Sequence, residues 1–185
     1  PDPKRATYAQ IEALPEHQIG EIVDGVLHVS PRPAPRHAFT AGTLGSKVTD
    51  AFGTGDSGPG GWFILPEPQL HLGQDVLVPD LAGWRREKMP SLPSEVHIDI
   101  APDWVCEVVS PSTARYDRMA KRPTYDTHRV GHVWLVEPER KYMEVFRRSP
   151  GGWYLEGPYG ADEDVRIPPF EDVAFNTRAW FWDEE

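Results

Sequence analysis

The run Trp104-Val105-Cys106-Glu107-Val108-Val109 constrains this chain more than any other segment. It is almost continuously apolar, the pattern of a central strand covered on both faces, yet Glu107 stands in its middle. An ionised carboxylate is almost never buried unless it is paired or binds a metal. Asp80 repeats the oddity, between Val76-Leu77-Val78-Pro79 and Leu81-Ala82. Two acids embedded in two strands point to one shared purpose. Oxygen-rich clusters of this kind bind Mg²⁺ or Mn²⁺, which hold water and phosphate oxygens. The alternative for each acid is an internal salt bridge or a strand-end cap.

The rest of the chain reads as strands and helices around that pair. A short helix over Tyr8–Leu14 stops at Pro15, and residues 21–30 alternate around Asp24-Gly25, which predicts a hairpin. Ala41, Leu44, Val48 and Phe52 recur at helical spacing, so residues 37–52 form an amphipathic helix. The glycine-rich stretch 53–61 is a loop. Strands are expected over 62–72, 75–84 and 103–110, with a polar insertion at 85–102. Ser110-Pro111-Ser112-Thr113 opens a helix to about Arg129, which Pro123 should kink or end. A strand meander follows over 132–157, and the tail adds a last strand and an aromatic plug. With no repeat or linker, 185 residues make one domain.

Nineteen basic against 29 acidic side chains exclude a general nucleic-acid coating surface. A local basic groove is still compatible with that balance, and Arg115, Arg118, Lys121, Arg122 and Arg129 do cluster. The alternative is a solvated helix face. No run reaches the roughly 20 apolar residues of a membrane span. The single cysteine, Cys106, allows no internal disulfide, and a reducing cytoplasm is the expected setting.

Lys121 and Asp117 lie four apart on the helix after the Glu107 strand. A helix returning over its parent strand brings Lys121 above the strand end, where its ammonium can orient water or offset charge on a phosphate. A surface ion pair with Asp117 is the rival reading. Glu67 is a candidate further acidic ligand, as is Glu21. His37 could contact substrate or act as a base. His28, His71, His97, His128 and His132 show no zinc-type spacing.

VPDLAGW (78–84), APDWVCEVVSPSTARYDRMAK (101–121) and YDTHRVGHVWLVEPERKYMEVFR (125–147) together resemble the Uma-two family, a branch of the PD-(D/E)xK nucleases. The similarity covers roughly residues 8–147, and its strength lies in the ordered set of motifs. The resemblance implies an α/β (α+β) restriction-endonuclease-like core: a mixed β-sheet flanked by helices, here with an N-terminal hairpin. It implies Asp80 and Glu107 as ligands of Mg²⁺ or Mn²⁺, with Lys121 completing the catalytic set. The usual lysine position, two residues after the glutamate, holds Val109. The expected function is metal-dependent hydrolysis of phosphodiester bonds in nucleic acid, DNA first, with His37, Arg115 and Arg118 contacting substrate. A homodimer would suit a duplex substrate. The alternative is a nuclease fold without catalysis that serves as a binding module.

Overall fold

The computed structural model describes residues 5–181. Helix α1 (Tyr8–Glu12) leads into a hairpin of β1 (Gln18–Val23) and β2 (Val26–Pro31). Asp24 and Gly25 take φ of 52° and 79° at its turn. Positive φ at both central residues matches the right-handed twist of the strands, and Asp-Gly tolerates it. Helix α2 (Pro35–Val48) starts on a proline whose missing N–H costs nothing at the first turn. It buries Leu44 and Val48, then widens into a π turn over Thr49–Thr54 that buries Phe52.

The two runs expected as strands over 62–72 and 75–84 are each broken. The chain forms β3 (Trp62–Pro66), β4 (Leu70–Leu72), β5 (Asp75–Leu77) and β6 (Leu81–Arg85). Strands β3 and β6 pair in one sheet, whereas β4 and β5 join the N-terminal hairpin in another. The break has a local cause. Pro66, Pro68 and Pro79 supply no N–H to a ladder, and Glu67 sits at a φ of 44°. The long hairpin therefore bends from one sheet into the other, and Asp80 lies at the bend.

Strand β7 (Trp104–Val108) follows the irregular segment 86–103. Next come α3 (Ala114–Tyr116), a π turn over Asp117–Lys121, and α4 (Arg122–Thr127). Strands β8 (His132–Glu137), β9 (Tyr142–Ser149) and β10 (Gly152–Gly160) form the meander. The larger sheet has the order β10-β9-β8-β7-β6-β3, with β7 and β8 parallel and its other pairs antiparallel. The smaller sheet runs β2-β1-β5-β4. This is the mixed sheet flanked by helices that the sequence pointed to, resembling a restriction-endonuclease-like core.

Alternation along β7 divides the interior. Trp104 and Cys106 face one core with Leu44 and Val48 of α2. Val105 and Val109 face the other, with Tyr125 of α4 and residues of the smaller sheet such as Val23 and Leu77. The tail closes the first core. Around β11 (Asp164–Val165) and β12 (Phe175–Asn176), Phe170, Phe175 and Trp180 pack beneath the sheet. Phe170 meets Trp104 and Trp134 edge-on, with ring centroids 5.0 and 5.6 Å apart. Edge-to-face contacts of this kind stabilise beyond their buried area.

Candidate active site

Strand β6 pairs antiparallel with β7 through Leu81 and Cys106, which sets Asp80, just before β6, beside Glu107 near the end of β7. The Val108 N–H donates to Asp80 Oδ2 at 2.6 Å, which ties the bend to the end of β7. Glu107 shares the face of Val105 and Val109, beneath the helical segment that crosses β7. It is 3% exposed.

Lys121 meets it there. Its Nζ lies 2.7 Å from Glu107 Oε1 and 3.0 Å from Glu21 Oε1, and donates to the Val78 carbonyl at 3.4 Å. Tyr125 donates its hydroxyl to the same Glu107 Oε1 at 2.5 Å. Glu21, on β1, also accepts the Val78 N–H at 2.8 Å. Asp117 and Lys121 are both buried and the Lys121 ammonium pairs with Glu107 and Glu21, so the expected surface ion pair of Asp117 with Lys121 does not form. A π turn carries the lysine to this position: the Arg122 N–H reaches back to the Asp117 carbonyl. Pro123 follows directly and has no N–H to give Met119, yet the helix runs on to Thr127 because the widened turn absorbs the misfit.

His37, in the first turn of α2, places Nε2 2.6 Å from Asp80 Oδ1. The Glu67 N–H donates to the Asp80 carbonyl at 3.0 Å, while its side chain is 41% exposed and 3.7 Å from Arg32. Asp80, His37 and Glu67 line a cleft of about 690 Å³. A second cleft, of about 730 Å³, is lined by Arg36, His37, Val108, Ser110 and Lys141. The two share His37. Arg118 is held by two carboxylates, Glu137 and Glu144, the latter at 2.6 Å. Arg115 is exposed.

Burial pushes the Glu107 carboxyl well above its usual range, against the pull of Lys121, and Asp117 and Asp80 push the same way. Burial alone would lower Lys121, but Glu107 and Glu21 outweigh it and hold the ammonium charged. Burial also raises Asp117, with Lys121 opposing. For His37 the desolvation penalty is overcome by the Asp80 hydrogen bond and charge, so the ring titrates above its ordinary value. A nearby divalent cation would reverse this logic for the acids by favouring their ionised forms.

The donor chemistry at the junction, carboxylate oxygen, is that of a hard cation's ligands. Glu107 carries its contacts on Oε1, leaving Oε2 without a hydrogen bond among the described residues. Asp80 and Glu67 offer further carboxylate oxygens, the donors Mg²⁺ and Mn²⁺ prefer, but Glu107, Asp80 and Glu67 do not bring ligand atoms within 4.8 Å of one another as they stand.

Sequence reasoning missed a second group. His71, His97 and Asp99 bring ligand atoms within 4.8 Å of one another, a cluster capable of coordinating a divalent metal. Linear spacing does not reveal it, because His71 comes from β4 and the other two from the irregular segment laid along that strand. Tyr125 was also missed; a tyrosine on an apolar helix face reads as core until its hydroxyl is placed.

A crystal structure described as "a putative nuclease belonging to DUF820", from Anabaena variabilis, superposes with a TM-score of 0.76. The match covers 95% of this chain and 97% of that one at 20% identity, a likeness of fold. No curated protein matches the chain. The family model Uma2, described as "Putative restriction endonuclease", matches residues 5–178. The chain therefore belongs to the Uma2 family and has a nuclease fold.

Proposed function

We propose that the protein is a Mg²⁺- or Mn²⁺-dependent endonuclease that hydrolyses phosphodiester bonds in DNA. The observation that carries this reading is the convergence of Asp80, Glu107 and Lys121 on one strand junction, with Glu107 Oε2 given no hydrogen bond by the described residues. Asp80 and Glu107 would hold the cation, with Glu67 at the cleft as a further acid. When bound, the cation supplies Lewis acidity and offsets charge on the phosphate. Lys121, fixed by Glu107 and Glu21, adds a permanent positive charge beside the reacting group. His37 anchors Asp80 and faces both clefts, where it can contact the phosphate or take a proton from water. Arg115 is the exposed cation for the DNA backbone. Arg118 would serve the same end from its Glu137–Glu144 clamp.

The reading includes a homodimer, which would let two sites reach both strands of a duplex, and a cytoplasmic setting. No helix among the described residues is long and apolar enough to cross a membrane. Incubation of the purified chain with plasmid and oligonucleotide DNA in Mn²⁺ or Mg²⁺ tests the activity. Cleavage should appear, and Asp80→Ala should reduce it to background. Inactivity across DNA and RNA, with no cation uptake by Asp80 and Glu107, overturns the reading.

One observation favours a different outcome. Lys121 is 3% exposed and already neutralised by two internal carboxylates. A fold that retained this cluster only for stability would act as a binding module. Such a module would hold DNA without cutting it and would take up no Mn²⁺ at Asp80.

A further inference from the structure

We infer that His71, His97 and Asp99 form a second metal site, for Zn²⁺ or a similar transition metal, which staples the segment 86–101 to β4. This site is built from different elements than the acidic one and does not depend on the nuclease reading.

Several features on β4 and the segment beside it point the same way. The His71 and His97 rings lie together, stacked with centroids 4.0 Å apart and planes within 14°, so the partly exposed His97 ring must turn for both in-plane lone pairs to meet one cation. His97 Nε2 lies 3.5 Å from Asp99 Oδ1. His71 is oriented from behind: Gln69 Oε1 lies 3.3 Å from its Nε2 and is itself gripped by the Tyr8 hydroxyl at 2.9 Å. The Tyr8 ring meets the His71 ring edge-on at 4.8 Å. Metal-binding imidazoles are commonly held in place by such outer partners.

Two imidazoles and one carboxylate suit Zn²⁺, Co²⁺ or Ni²⁺ far better than Mg²⁺. Zinc bonds to nitrogen and oxygen of about 2.0–2.2 Å require the three donors to draw closer than they stand. Asp99 can do so, since its side chain is 73% exposed, and His97 is about one-third exposed. The consequence would be mechanical. The segment contains no helix or strand; its backbone link to β4 is one bridge, Leu70 to Ile98, with bonds from His71 N to Ile98 O and from Ile98 N to Gln69 O, beside the buried side chains of Met89 and Ile98. A cation shared between β4 and Asp99 would fix it, because a ligand that binds only the folded arrangement stabilises that arrangement.

The test uses the full chain, freed of metal by chelation, at neutral pH. Zn²⁺ calorimetry and Co²⁺ absorbance should report one site that His97→Ala weakens by about tenfold or more. Asp99→Asn should weaken it as well, and Asp80→Ala should leave it unchanged. Zn²⁺ should also slow amide exchange across 86–101, reversibly with chelator. Three results overturn the proposal: no Zn²⁺ uptake, uptake unaffected by His97→Ala and Asp99→Asn, or uptake that leaves exchange in 86–101 as it was.

Discussion

Lys121 Nζ lies 2.7 Å from Glu107 Oε1 in the interior, with each side chain 4% exposed. Breaking a buried pair by deleting one partner strands the other charge, at a cost of about 3–5 kcal/mol. Lys121→Met should therefore lower unfolding free energy by about that much, measured by urea titration. The double variant Glu107→Gln with Lys121→Met should lose clearly less than the sum of the single losses. Additive losses would mean that the two groups do not depend on each other.

Tyr125 donates to the same carboxylate oxygen at 2.5 Å. Tyr125→Phe keeps the ring in the core and removes one charge-assisted hydrogen bond. A loss of about 1.5–3 kcal/mol is expected, with an unchanged far-ultraviolet spectrum. A neutral result would show that Lys121 alone satisfies Glu107.

Much of this site was legible in the sequence because burial makes carboxylates conspicuous. Glu107 and Asp80 stood out against valines and leucines, and ordered motifs then singled out Lys121. The bend that places Asp80 was not legible. Runs 62–72 and 75–84 look like simple strands, and only tertiary pairing shows β4 and β5 leaving for the second sheet. Nor was the π turn at Asp117–Lys121, since propensity does not distinguish i→i+5 from i→i+4 bonding. The π turn solved the problem that Pro123 posed. His71 and His97 escaped notice for a related reason: their proximity comes from a single bridge between β4 and an irregular segment.

Gly83 sits in β6 between large side chains. A Cβ there would lie 2.9 Å from Ile64 Cδ1 and 3.1 Å from Trp104 Cε3. Trp104 is fully buried and cannot swing away. Gly83→Ala should cost about 1–3 kcal/mol through overpacking, read as a lower midpoint in urea. Unchanged stability would mean that the packing of Ile64 and Trp104 over β6 is looser than the distances imply.

His132 carries a pH prediction. Burial, then Arg147 and Arg85, lower its pKa to about 4. The unfolded value is about 6.5, so acid protonates the unfolded chain first. The contribution of this residue is full above about pH 6.5 and is lost as pH falls towards about 4. It amounts to about 3 kcal/mol across that window, and His132→Asn should flatten the stability profile there by that amount. Parallel profiles for the two proteins would contradict the assignment.

The most direct test of the central claim is anomalous diffraction from crystals soaked in Mn²⁺. A peak within bonding distance of both Asp80 and Glu107, lost in Asp80→Ala, is the predicted result. DNA cleavage by a protein whose Mn²⁺ never contacts either carboxylate would contradict it.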